Sequence, residues 1–236
     1  MTGEIKSQID LIARNIREKA RQCGRAPEDI KLLAVTKTVP PERIIAALDA
    51  GIGTLGENYI QEALPKIATL VEFGKSTEWH MIGHLQTRKA ALAVRHFTMI
   101  HSVDSLELAL EINKRAQKEN RLVKALIEVN TGGEPTKDGV APDKVLALAL
   151  AMSKLDNVAL RGLMTVPPWF EDPEKMRPYF RCLRELKQGL QAAGIPPAQM
   201  QELSMGMSGD YLIAIEEGAT IIRIGQGIFG KRPKRG

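Results

Sequence analysis

Eight short β-prone runs, each handing over to a turn or a helical pattern, constrain this chain more than any other feature. They occupy residues 32–37 (LLAVTK), 54–58 (TLGEN), 79–83 (WHMIG), 99–104 (MIHSVD), 124–130 (KALIEVN), 160–166 (LRGLMTV), 202–206 (ELSMG) and 221–225 (IIRIG). Continuous apolar runs of this length suit strands buried on both faces, as in a parallel sheet. Their starts lie 19 to 42 residues apart, enough for a strand, a helix and two turns, with extended loops in the two longest intervals. The helices between them have legible ends. Pro41 opens one that Gly51 closes, with Ile44, Ile45 and Leu48 facing inward. Asp172-Pro173 opens another, carrying Met176, Phe180, Leu183 and Leu190 on one face until Gly194. Pro142-Asp143 begins a third, and Ser208 is placed to cap a short helix ending at Gly218. An extra amphipathic helix precedes them all, with Ile5, Ile9, Ile12 and Ile16 on one stripe.

Eight βα units in about 200 residues point to a (β/α)8 TIM-type barrel with an extra N-terminal helix. A doubly wound open sheet is the competing arrangement. No Pro/Gly/Ser-rich linker or shift of composition divides the chain, so residues 1–236 read as one domain. With 44% hydrophobic and 26% charged residues the chain is globular in composition, and no apolar run is long enough to predict a membrane span. The amino-terminal stretch is charged and amphipathic, without the apolar core of a signal peptide. Cys23 and Cys182 have no metal or redox spacing, and a reduced, cytoplasmic protein is expected. The formal charge is +5, but Lys231, Arg232, Lys234 and Arg235 crowd the carboxyl end and leave the body about neutral. That tail reads as a solvated end. Aromatic residues are 4%, too few for a single-strand stacking platform, and no nucleic-acid partner is expected.

Ligands of a parallel barrel gather at the carboxyl ends of its strands. The polar residues expected there are Lys37, Glu57 with Asn58, Gly83 with His84, Asp104, Asn130, Thr165, residues 204–208 (SMGMS) and residues 223–227 (RIGQG). A lysine ending an apolar strand is partly desolvated, which favours the free amine that attacks a carbonyl; taken alone, however, Lys37 reads better as a rim lysine reaching solvent. Gly206, Gly225 and Gly227 let backbone N–H groups approach an anion, and Ser204 and Ser208 add hydroxyl donors. The loops after strands seven and eight are the recurring phosphate site of this barrel, although ordinary glycine turns would look similar. Arg223, two residues before its glycine turn, points inward by alternation, with Glu57 or Glu128 as possible ion-pair partners. An amine for an aldehyde, an anion site and a partner for a ring nitrogen together point to pyridoxal 5′-phosphate.

Other constellations are weaker. His80 and His84 straddle an expected strand end and do not form a metal pair, and His96 and His101 lack a third ligand at useful spacing. No phosphate-binding Walker loop, nucleophile elbow or dinucleotide fingerprint is present; residues 51–58 (GIGTLGEN) place their glycines between a helix and a strand, the reverse of what a dinucleotide site needs. Residues 130–134 (NTGGE) form a loop placed to help close the barrel mouth.

The segments LLAVTK (32–37), GENYIQE (56–62), WHMIGHLQ (79–86), HSVD (101–104), LRGLM (160–164), LSMGMSGD (203–210) and RIGQGIFG (223–230) closely resemble the pyridoxal phosphate homeostasis proteins. That family is related to the barrel domain of bacterial alanine racemase. The resemblance implies a single-domain barrel with pyridoxal 5′-phosphate held as a Schiff base on Lys37. It implies phosphate contacts around Ser204, Gly206, Met207, Gly225 and Gln226, Arg223 near the ring nitrogen, and Asn58 and Met81 lining the pocket. It further implies a carrier or regulator of vitamin B6 and amino/keto-acid balance without catalysis, with apo-enzymes as recipients. Two departures stand out: Gln226 where the family commonly has threonine or serine, and Arg88 where asparagine is frequent.

A pyridoxal-phosphate-dependent amino-acid racemase is the alternative. Racemisation needs a second acid/base on the far face of the cofactor, which the racemase takes from a further domain. Tyr59, Tyr179 and Tyr211 are the tyrosines here, and none falls at an expected strand end. A third reading is a barrel enzyme using Lys37 without a cofactor, with Glu57 or Asp104 as proton shuttle. A monomer is the default for a barrel lacking the partner domain.

Overall fold

A computed structural model describes residues 2–134 and 136–230; the basic tail lies outside the described residues. The strands are β1 (Lys31–Val35), β2 (Thr54–Glu57), β3 (Glu78–Met81), β4 (Met99–Val103), β5 (Val123–Glu128), β6 (Val158–Met164), β7 (Glu202–Ser204) and β8 (Ile221–Ile224). All neighbours pair in parallel, in chain order, and β8 closes on β1 with Ala34 opposite Ile224. The closed barrel is therefore present and the open doubly wound sheet is not.

The helices are α1 (Thr2–Gln22), α2 (Pro41–Asp49), α3 (Ile60–Glu72), α4 (Ala90–His96), α5 (Leu106–Lys118), α6 (Val145–Met152), α7 (Arg177–Ala192), α8 (Tyr211–Glu216) and α9 (Gln226–Phe229). Pro41 occupies the first turn of α2, where its missing N–H costs nothing, and Gly51 follows the helix at φ +97°. The four isoleucines of α1 are all buried and pack it across α2, α8 and α9. None of the described helices is long and apolar enough to cross a membrane.

Two apolar cores follow from the parallel barrel. The larger fills the space between sheet and helices. The smaller joins Leu33, Val35, Ile82, Met99, Leu126, Met164 and Ile221. Residues from strands far apart around the ring meet in one cluster only inside it, so this is the barrel interior.

Two local expectations are corrected. All eight expected strands overran the ladder by one or two residues at the carboxyl end, so Lys37, Asn58 and Gly206 sit in the first loop residues. Ser208 does not cap a helix: α8 starts at Tyr211 with Asp210 at its N-cap. Residues 207–210 form a turn instead, in which the Asp210 N–H donates to the Met207 carbonyl (3.1 Å) and the Met207 N–H to Asp210 Oδ1 (2.5 Å). Ser208 Oγ is thereby left to accept the Gly227 N–H in α9 (3.1 Å).

Candidate functional site

A cavity of about 460 Å³ opens at the carboxyl ends of the strands. Lys37, Asn58, Met207, Arg223, Gly225 and Gln226 line it, together with Ser208 and Asp210. Closure of β8 on β1 brings Lys37 across from the β8 loop, and the loop after β7 lies beside it.

Asn58 owes its position to Gly83. A Cβ on Gly83 would lie 2.5 Å from the Asn58 carbonyl oxygen and 2.7 Å from its Cα, so only glycine allows the two loops to touch. Asn58 Oδ1 is buried without a hydrogen-bond partner, on a residue that lines the cavity. Such an atom calls for a donor from a ligand. Arg223 is 4% exposed. It donates from Nη1 to Ser204 Oγ (2.6 Å) and from Nη2 to the Thr165 carbonyl (2.8 Å). Burial draws its pKa down to about 10, so it remains a cation at neutral pH. Among the described residues no carboxylate pairs with it directly: Glu57 is bound by Lys66 instead, with Nζ to Oε1 at 2.7 Å.

Three expected site residues do not line the cavity. Met81 is buried in β3. Gly206, at φ +92°, serves packing, because a Cβ there would meet Ala214 Cβ at 2.6 Å; its carbonyl accepts the Arg223 N–H (3.0 Å). Ser204 is fully buried and turns into the barrel. Its hydroxyl joins a chain of polar groups through the interior: His101 Nδ1 lies 2.9 Å away, and His101 Nε2 lies 2.9 Å from His80 Nδ1. His80 Nε2 is 3.7 Å from Glu78 Oε2 at the opposite end. Arginine donates only, so the arrangement that satisfies every member has Ser204 donating to His101 and His101 to His80. Both imidazoles are neutral: burial lowers the His80 pKa to about 4 and that of His101 well below its ordinary value.

The sequence reading missed the far wall of the cavity, Val166 and the loop through Trp169, Phe170 and Glu171, as well as Asp210. No periodicity marks a long loop that folds back over a site. No tyrosine lines the cavity. Tyr59 is exposed, Tyr179 stacks on Phe170 at 5.9 Å, and Tyr211 Oη accepts from Asn15 Nδ2 (3.0 Å). Asp104 lies by His84 (3.5 Å) and is not among the residues lining the cavity, and Arg88 is exposed on a short 3-10 turn.

Comparison with known proteins gives the family. Residues 8–233 match the model of the alanine racemase N-terminal domain. A pyridoxal phosphate homeostasis protein of Aquifex aeolicus (strain VF5) is 45% identical, over 95% of this chain and 97% of its own. The protein of that name in Escherichia coli (strain K12) is 37% identical, over 98% and 97% of the two chains. Among solved structures, PipY of Synechococcus elongatus PCC7942 with PLP bound superposes with a TM-score of 0.80 at 37% identity, covering 91% of this chain and all of that one. Alanine racemase of Clostridium difficile 630 shares the fold (TM-score 0.73) at 16% identity, with 58% of its length covered. The chain therefore belongs to the alanine racemase N-terminal domain family and, within it, to the pyridoxal phosphate homeostasis proteins.

Proposed function

We propose that this protein binds pyridoxal 5′-phosphate in the cavity, attached at Lys37, and acts as a non-catalytic carrier or regulator of that cofactor. The observation that carries the reading is the meeting of a lysine, a buried arginine, an unsatisfied Asn58 Oδ1 and two glycine-bearing loops in one cavity. These donors fit the cofactor: an amine for its aldehyde, the Ser208 hydroxyl and the backbone of residues 208–209 and 225–226 for its phosphate, and Arg223 for its ring nitrogen. When bound, pyridoxal 5′-phosphate supplies an aldehyde that condenses with an amine to a C=N bond with loss of water. Arg223, cationic and donor-only, offers a proton to a neutral ring nitrogen without surrendering one. That keeps the nitrogen unprotonated and weak as an electron sink.

The absence of tyrosine from the cavity wall, and the 37% and 45% identity to proteins named for homeostasis, favour holding the cofactor over turning a substrate. The acids on the wall are Glu171 and Asp210, and Asp210 already accepts the Met207 N–H. Recipient apo-enzymes and a monomeric state belong to the same proposal.

The test is a visible spectrum of the protein titrated with pyridoxal 5′-phosphate, borohydride reduction, and peptide mass mapping. Lys37 is expected to carry the reduced adduct, and Lys37→Ala to lose it while melting cooperatively. Trapping only on tail lysines such as Lys231 and Lys234 would overturn the site. Steady turnover of a free amino acid by the loaded protein would overturn the non-catalytic half.

A further inference from the structure

We propose that Lys66 on α3, acting with Glu62, is a positioning residue that fixes the backbone of Lys37 and thereby aims its amine. The inference rests on Lys37 being the attachment point.

The chain leaves β1 at Val35 and turns sharply through residues 36–39. Thr36 is anchored first: its N–H donates to the Gly56 carbonyl (3.0 Å) and its Oγ1 to Glu57 Oε1 (2.8 Å). The Thr36 carbonyl accepts the Val39 N–H (2.9 Å) and, from the other side, Lys66 Nζ (2.7 Å). Thr38 then sits at φ +63°, a left-handed conformation that a β-branched residue adopts only where its surroundings impose it. Its N–H donates to Glu62 Oε1, and that same oxygen accepts from Lys66 Nζ (2.8 Å).

The consequence is geometric. The φ and ψ of Lys37 are set by the two peptide planes on either side of it. One plane is held through the Thr36 carbonyl and the other through the Thr38 N–H. Lys66 touches the first directly and the second through Glu62, so one ammonium ties down both. With its third bond, to Glu57 Oε1 at 2.7 Å, it has used every donor it possesses.

Stability alone does not account for this arrangement. The Lys66 side chain is 9% exposed and that of Glu57 is fully buried. A buried ion pair of this kind gains little over well-packed apolar residues, because desolvation offsets the attraction. What apolar residues would not supply is direction at two specific peptide groups. Nothing in the sequence marks Lys66, which reads as one more lysine on an amphipathic helix; only the pairing of β1 with β2 and the return of α3 beside it bring it under the Lys37 turn.

The experiment compares two ligands on three proteins: the unsubstituted chain, Lys66→Met and Glu62→Gln. Pyridoxal 5′-phosphate needs the Lys37 amine; pyridoxine 5′-phosphate has the same ring and phosphate with an alcohol in place of the aldehyde. Both variants should weaken the aldehyde ligand roughly tenfold and slow its borohydride-trappable attachment, the penalty of a displaced reacting group. Both should leave the alcohol ligand within about twofold, since its contacts do not pass through Lys37. In a Lys37→Ala background, Lys66→Met should change neither ligand further. Equal weakening of both ligands would show a purely structural role and overturn the proposal, as would undiminished attachment in the variants. Glu62→Gln, at a partly exposed position, keeps the test available where Lys66→Met does not fold. Failure of the unsubstituted protein to trap the aldehyde on Lys37 is read first, and would overturn the attachment reading together with this one.

Discussion

Gly83 shows how much one absent side chain accomplishes here. The loops after β2 and β3 meet where Gly83 lies against the Asn58 backbone, and a methyl group would fall 2.5 Å from the Asn58 carbonyl oxygen. Gly83→Ala must therefore shift Asn58, and overpacking of this kind typically costs about 1–3 kcal/mol. The expected outcome is a lower melting temperature together with weaker binding of pyridoxal 5′-phosphate, read by thermal melting and by titration. At this scale the sequence was informative wherever a charged residue broke an apolar run: Lys37 and Arg223 were legible for that reason. It misled at Ser204, whose hydroxyl lies in the barrel interior against Arg223 and His101. Alternation along β7 assigns a face but cannot say what waits on it.

Among the elements, α1 was read correctly from the spacing of its isoleucines, and the structure adds what that stripe supports. Ile12 Cδ1 lies 3.5 Å from where a Cβ on Gly227 would stand, behind the turn that joins β8 to α9. Ile12→Ala should cost roughly 2–4 kcal/mol by opening a cavity in the packed shell. Because the vacated space backs a cavity-lining loop, cofactor affinity should fall with it. A denaturant melt and a ligand titration on the same protein check both, and a melt shift with unchanged affinity would separate α1 from the site. The start of α8 was misplaced because Ser208 satisfies every local rule for an N-cap. Asp210, two residues on, binds the Met207 N–H and turns the chain before a helix can begin. Two competing caps within three residues cannot be ranked from spacing alone.

On the scale of the whole molecule, buried titratable groups confine the pH range of stability from both sides. His80 and His101 are held neutral by burial, with the His80 pKa drawn from 6.5 to about 4. The His80 contribution is present above 6.5 and is lost as the pH falls through about 4, and that of His101 is lost in the same direction. Glu128 behaves oppositely: burial, reinforced by Asp138 and Asp104, lifts its pKa from 4.5 to about 8. It is stabilising while protonated, and stability declines as the pH rises from 4.5 through 8, by about 1.4 kcal/mol per pH unit at most. Glu128→Gln mimics the neutral acid, so its stability should fall less steeply with pH across that interval than that of the unsubstituted protein. Urea melts at successive pH values check this, and parallel curves would count against it. What the sequence determined by itself is the architecture, since runs, helical stripes and punctuating glycines and prolines are local and each βα unit declares itself independently. The meeting of parts was decided by tertiary structure. Closing β8 on β1 is a single global event that sets Lys37 opposite the β8 loop, drops Ser204 into the interior and slides Lys66 beneath the Lys37 turn. No window of sequence contains that event, because the ring closes only when all eight strands share one twist and register.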